Sequence, residues 1–175
     1  MRADAIIATN TSYLDPNEIA ESVAGPERVV GLHFFNPAHI MKLVEIVRCQ
    51  STSATVLGRC FAFAKMLGKT GVLAGVCDGF IGNRILMAYR RQSDYMLADG
   101  ALPEQIDRAL EAIGLPMGPY RMQDASGLQI AWANRQRQAA TRAPAERYVS
   151  IADTLYESGR MGQRTGAGWY QYPTG

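Results

Sequence analysis

The 175 residues carry a formal net charge of +2, with 47% hydrophobic and 19% charged side chains. That is enough apolar material for a buried core in one domain, or in a domain plus a piece of another. So small a charge, without a dense Lys/Arg cluster, excludes an electrostatic nucleic-acid binder, and no apolar run reaches the roughly 18 residues of a membrane span.

The basic run Arg135, Arg137, Arg142, Arg147 is diluted by Gln and Ala and reads as a solvated helix face. Asp4, Thr9 and Asn10 interrupt any signal-peptide pattern at the N-terminus. Two histidines, no HExxH and three cysteines without CxxC spacing leave no metal site. Cys49, Cys60 and Cys77 are expected to be buried thiols in a reducing, cytoplasmic setting.

In chain order, Ala5–Ala8 and Val29–Phe35 are continuous apolar runs, as in strands covered on both faces. Between them, residues 17–23 fit a short helix capped by Asp15 with Pro16 in its first turn. Leu43–Val47 is a further strand. Thr52 or Ser53 then caps a helix with Val56, Leu57, Cys60, Phe61, Ala64 and Leu67 at spacings of three and four, ended by Gly68. Gly71–Val76 is one more strand. After Asp78 the texture is helical. Ile81, Ile85, Leu86, Tyr89, Met96 and Leu97 form one stripe ended by Gly100, and Pro103 opens a helix holding Ile106, Leu110 and Ile113. Residues 127–138 and 149–158 are two more helices, 139–145 is an exposed loop, and the glycine-rich tail GRMGQRTGAGWYQY is an ordered, turn-rich segment.

The expected fold is therefore α/β plus all-α, the remnant of a doubly wound sheet in residues 1–77 and a helical domain in 78–175. A dinucleotide-binding sheet would start with a strand and a GxGxxG turn that cradles pyrophosphate at a helix N-terminus. No such turn occurs here, and the chain begins almost directly in a strand. Met1 is accordingly expected not to be the natural start of the fold.

Three stretches can carry chemistry. In GLHFFNPAHIMKLVEIV, His33 follows an apolar run and Glu45 sits inside one. A carboxylate in a strand core costs several kcal/mol unless paired. Paired with an imidazole nitrogen, it would fix the tautomer and stabilise the imidazolium, the design of a general base. A lone histidine near an apolar run can equally be structural. ATNTS ends the first strand and lets Asn10 and Ser12 point the same way, although an ordinary Asx/Ser turn has the same pattern. In CDGFIGNRIL, Gly79 and Gly82 permit a tight backbone approach and Asn83 lies on the first turn of a long helix; a plain capping turn is the simpler reading.

Together with GLPMGP and the tail, these motifs resemble, in order, the L-3-hydroxyacyl-CoA dehydrogenase family of fatty-acid β-oxidation. The likeness is greatest to the dehydrogenase part of the multifunctional enzymes, and it runs from Ala5 to Tyr172. The resemblance implies a Rossmann-like domain that binds NAD, an acyl-CoA substrate, and a helical domain that dimerises. It makes His33 the base that accepts the 3-hydroxyl proton and Glu45 its partner. Ser12 and Asn83 would bond the reacting oxygen and hold the thioester chain, and Asn10 and Asn36 would lie near the nicotinamide. Arg164 falls where many relatives carry lysine near the cofactor, an exchange that is not neutral at a close contact.

Two functions are expected from this. One is part of an NAD-dependent dehydrogenase, weak or inactive without its glycine-rich half. The other is a non-catalytic module that dimerises or binds acyl-CoA. A dehydrogenase of other hydroxy acids would leave His-Phe-Phe-Asn-Pro with the Glu45 spacing unexplained.

Overall fold

The computed structural model describes residue 2 and residues 4–173, in two compact units, Met1–Met87 and Ala88–Gly175. The first holds a four-stranded sheet in the order β1 (Ile7–Thr9), β2 (Val29–Phe34), β3 (Leu43–Arg48), β4 (Thr70–Gly75). β1 runs parallel to β2, β2 antiparallel to β3, and β3 parallel to β4. Strand alternation sends successive side chains to opposite faces. Val30, Leu32, Phe34, Val44 and Ile46 pack against Val56, Cys60 and Ala64 of α2 (Ala54–Met66). Val29, with Cys49, packs against Ala20 of α1 (Pro16–Glu21), and Val47, with Ala74, against Phe80. His33 and Glu45 share the alternate register with Val29 and Val47, so they point away from α2.

Asp15 caps α1 by accepting from the Asn17 N–H at 2.8 Å. Ser53 caps α2; Thr52 is instead buried, donating to the Val29 carbonyl at 2.7 Å and accepting from the Cys49 N–H at 2.9 Å. The first strand is paired only over Ile7–Thr9, later than its apolar letters, because β2 offers partners only from Val29 onward. A 3-10 turn at Pro26–Arg28, unforeseen in the sequence, leads into β2. Burial pushes the Cys49 and Cys60 thiols above their usual range. Cys77 is a correction: it is exposed, because it lies beyond the end of β4.

α3 (Gly82–Ala98) crosses from one unit to the other. Its first turn is bound to Glu45 of the sheet, so the compact units divide ten residues beyond position 77. The second unit holds α4 (Pro103–Ala112), α5 (Pro119–Ser126), α6 (Leu128–Ala139) and α7 (Ile151–Glu157). α5 was not foreseen; its signal is Pro119 at the first helical position. Buried Asp107 of α4 accepts from the Tyr120 and Arg121 N–H groups at the start of α5, at 2.9 and 3.1 Å, and from the Tyr170 hydroxyl at 2.7 Å. Asp124 of α5 accepts from the Trp169 and Tyr170 N–H groups at 2.8 and 2.9 Å and from the Tyr172 hydroxyl at 3.0 Å. The glycine-rich tail thus folds around two buried carboxylates. Gly168 has to be glycine, since a Cβ there would lie 2.0 Å from Asp124 Oδ1. Among the described residues, no helix is long and apolar enough to cross a membrane, and no group of three or more His, Cys, Asp or Glu could hold a metal ion.

Candidate active site

The site is assembled within the first unit by the antiparallel β2–β3 pair. Register places His33 directly opposite Glu45, where cross-strand side chains lie close enough to interact. The His33 Nδ1 to Glu45 Oε2 distance is 2.6 Å, and both residues are buried, at 4% and 1% exposure. A carboxylate only accepts, so Nδ1 carries the proton and Nε2 is left as an acceptor. Nε2 lies 2.9 Å from the Ser12 hydroxyl, which ends the segment after β1 and is partly exposed. Ser12, His33 and Glu45 thus form one hydrogen-bonded relay, from a half-exposed hydroxyl to a buried carboxylate.

The other carboxylate oxygen is also satisfied. Glu45 Oε1 accepts from the Ile81 N–H at 3.0 Å and the Gly82 N–H at 2.7 Å. Three donors therefore meet one carboxylate, which is how a buried Glu is tolerated in an apolar strand. Two aromatic rings close on the imidazole, Phe35 at 4.7 Å and Phe80 edge-on at 5.6 Å between centroids. The Ile81 and Gly82 amides and these two rings were not picked out in the sequence, although the glycines of CDGFIGNRIL signalled a close backbone approach.

The remaining candidate residues fall as follows. Asn10 is exposed and its Oδ1 accepts from the Phe34 N–H at 2.9 Å, tying the end of β1 to the end of β2. Asn36 is exposed just beyond β2, before Pro37. Asn83 is half-buried on the first turn of α3, next to the Gly82 amide that binds Glu45. Arg164 is exposed on a 3-10 turn, Gln163–Thr165, in the second unit. The structure joins Ser12, His33 and Glu45, has Asn10 two residues before Ser12 and Asn83 directly after the Glu45-bound Gly82, and places Arg164 in a different unit.

Comparison with known proteins covers nearly the whole chain. Residues 1–77 match the family described as 3-hydroxyacyl-CoA dehydrogenase, NAD binding domain. Residues 79–172 match 3-hydroxyacyl-CoA dehydrogenase, C-terminal domain. The chain is 45% identical to the peroxisomal bifunctional enzyme of Cavia porcellus, over 98% of its own length and 25% of that protein. It is 38% identical to the fatty acid oxidation complex subunit alpha of Pseudomonas putida, over 99% of its length and 25% of that protein. The chain thus spans about a quarter of the curated relatives it matches. Among solved structures it superposes on (S)-3-hydroxybutyryl-CoA dehydrogenase from Ralstonia eutropha with a TM-score of 0.86 and 32% identity, over 97% of this chain and 61% of that one. Both halves match the same family in the same order, and the sheet and helices superpose on a solved member: the chain belongs to the 3-hydroxyacyl-CoA dehydrogenase family.

Proposed function

We propose that this chain is the catalytic part of an NAD-dependent 3-hydroxyacyl-CoA dehydrogenase acting in fatty-acid oxidation, with His33 as general base. The observation that carries this is the Ser12–His33–Glu45 relay, in which His33 Nε2 accepts from the Ser12 hydroxyl at 2.9 Å. In the oxidation direction the substrate's 3-hydroxyl donates to Nε2 and gives up its proton there. Glu45, 2.6 Å from Nδ1, stabilises the imidazolium that results. Ser12 bonds the same oxygen as it becomes a carbonyl, and Asn83, on the first turn of α3, holds the thioester side of the substrate.

NAD, when bound, supplies the acceptor for the hydride from C3. The residues here fit the nicotinamide half. Asn10 spends its amide oxygen on the Phe34 N–H, which leaves its Nδ2 donors for a carboxamide oxygen. Asn36, exposed at the same end of the sheet, is the second such group, and Arg164 is kept as a proposed cofactor residue on the family resemblance alone. The pyrophosphate-binding glycine turn has no counterpart in these residues. We keep residues 1–77 as a partial NAD-binding domain and 78–175 as the helical domain. The free cysteines support a cytoplasmic setting.

The test is oxidation of NADH driven by acetoacetyl-CoA, followed by absorbance, in the protein joined to its glycine-rich half. Turnover is expected, and Ser12→Ala should lower kcat/KM about tenfold, the worth of one hydrogen bond to the reacting oxygen. No turnover with any 3-ketoacyl-CoA would exclude the dehydrogenase and leave an acyl-CoA-binding or dimerising module.

The partner we propose is a second copy of the chain. The family resemblance supports this reading, and Ile85 and Met96 of α3 are exposed apolar side chains, at 63% and 46%. Sedimentation should find a dimer; a monomer at high protein concentration would refute it.

A further inference from the structure

The backbone at the start of α3 decides more than where Glu45 sits. Glu45 Oε1 accepts from the Ile81 and Gly82 N–H groups while Oε2 accepts from His33 Nδ1. We propose that these two amides fix which atom at position 45 faces His33 Nδ1, and that Gly82 is the positioning residue that lets them do so. The role presupposes the dehydrogenase chemistry in taking His33 Nε2 as the working nitrogen.

The two amides are fixed donors at the head of a 17-residue helix. A side-chain donor can rotate away or exchange roles; a backbone N–H in a helix's first turn can do neither. They therefore demand an acceptor at the Oε1 position. With a carboxylate there, the second oxygen is also an acceptor, so Nδ1 has to donate and Nε2 stays free to take a proton. The carboxylate itself sets the tautomer, and the helix fixes the oxygen through which it does so.

The local geometry is built for this approach. The turn before α3 holds Gly79 at φ 72° and Phe80 at φ 45°. A left-handed conformation is costly for a residue with a Cβ, and persists where the surroundings impose it. Phe80 is held by burial: it is 2% exposed, packs with Val47 and Ala74, and meets His33 edge-on. Gly82 completes the approach. A Cβ on it would lie 2.6 Å from Phe35 Cζ and 2.9 Å from Cε1. Phe35 itself leans on the imidazole. Any side chain at position 82 must move either the amides off Glu45 or the Phe35 ring against His33.

The discriminating experiment is Glu45→Gln in the full chain, with 15N-labelled histidine read by NMR at a pH where His33 is neutral. His39 is the only other histidine and is exposed, so the two rings are separable. If the amides rule, they hold the glutamine's carbonyl oxygen. Its NH2 then faces Nδ1, which becomes an acceptor, and the ring proton moves to Nε2. A freely turning glutamine would instead offer its oxygen to Nδ1–H and leave the tautomer unchanged. An Nδ1–H tautomer that persists in folded Glu45→Gln overturns the proposal.

Should that variant fail to fold, Gly82→Ala is read the same way. The deshielded Nδ1–H proton of the 2.6 Å bond should shift, and Gly82→Ala combined with Phe35→Leu should restore it. An unmoved signal in folded Gly82→Ala counts equally against the proposal. None of these readouts needs turnover, so the dehydrogenase can fail its own assay with the amide contacts to position 45 intact, and the reverse. In the complete enzyme, Glu45→Gln should lower kcat by about three to four orders of magnitude, as expected for a base in the wrong tautomer, with KM nearly unchanged.

Discussion

With His33 as the proposed base, its replacement by alanine in a chain carrying a glycine-rich cofactor half should lower kcat by about two to four orders of magnitude, the usual contribution of a positioned general base. The loss falls on kcat because the imidazole's proton affinity is used as the hydroxyl proton leaves, when Glu45 is already in place 2.6 Å away to balance the charge. Substrate binding should change little, since the proposal gives the acyl-CoA chain to groups other than His33. Removing the ring also leaves Glu45 buried at 1% exposure with one donor fewer. Part of the effect can therefore come from a displaced carboxylate, and a thermal melt of the variant separates the two. A folded His33→Ala protein with near-normal turnover would remove His33 from the mechanism.

Asp124→Ala lowers the stability of the second unit by about 3–5 kcal/mol, because two backbone N–H groups and a tyrosine hydroxyl lose their acceptor in a buried place. That is a large part of what a small domain has. The three donors, Trp169 N–H, Tyr170 N–H and the Tyr172 hydroxyl, are all on the tail, so the tail should detach first. Denaturant unfolding followed by tryptophan fluorescence reads this directly, since Trp132 and Trp169 are the only tryptophans and both lie in the second unit. An unchanged midpoint would mean the tail is held by its aromatic packing, such as Tyr120 against Trp169 at 4.5 Å. The Tyr172 bond also has a pH signature. Burial, and then the Asp124 carboxylate, push that phenol up to about 12. A folded-state value above the usual ~10 means the bond contributes fully below the ordinary tyrosine range. That contribution is lost as pH rises towards about 12.

Much of this protein could be read from its letters because local rules wrote it. Asp15 before Pro16, Ser53 before a three-four apolar stripe, and Pro103 at a helix start each act within one turn of chain, and each stands where the sequence places it. The pairing of His33 with Glu45 could be anticipated for a different reason: a carboxylate among Val44, Ile46 and Val47 has to find a partner, and a strand neighbour is the nearest source of one. Helix α5 carries the same local signal, Pro119 at its start, but what holds that start is not local. It begins on the backbone donors that Asp107 accepts, and Asp107 lies on another helix. The tail's shape likewise depends on Asp124, more than forty residues away along the chain. Cys77 looked like the other two thiols by composition, yet it lies past the last strand, where nothing covers it.

The sequence alone determined the family, the order of sheet then helices, and the residue types able to move a proton, because composition, periodicity and motif are properties of neighbouring letters. Only the tertiary structure decided that the Glu45 carboxylate is held against Nδ1 of His33. That depends on a strand register that faces His33 with Glu45, and on two amides at the head of a helix some forty residues further on. Backbone donors carry no letter of their own, so their aim exists only once the chain has folded.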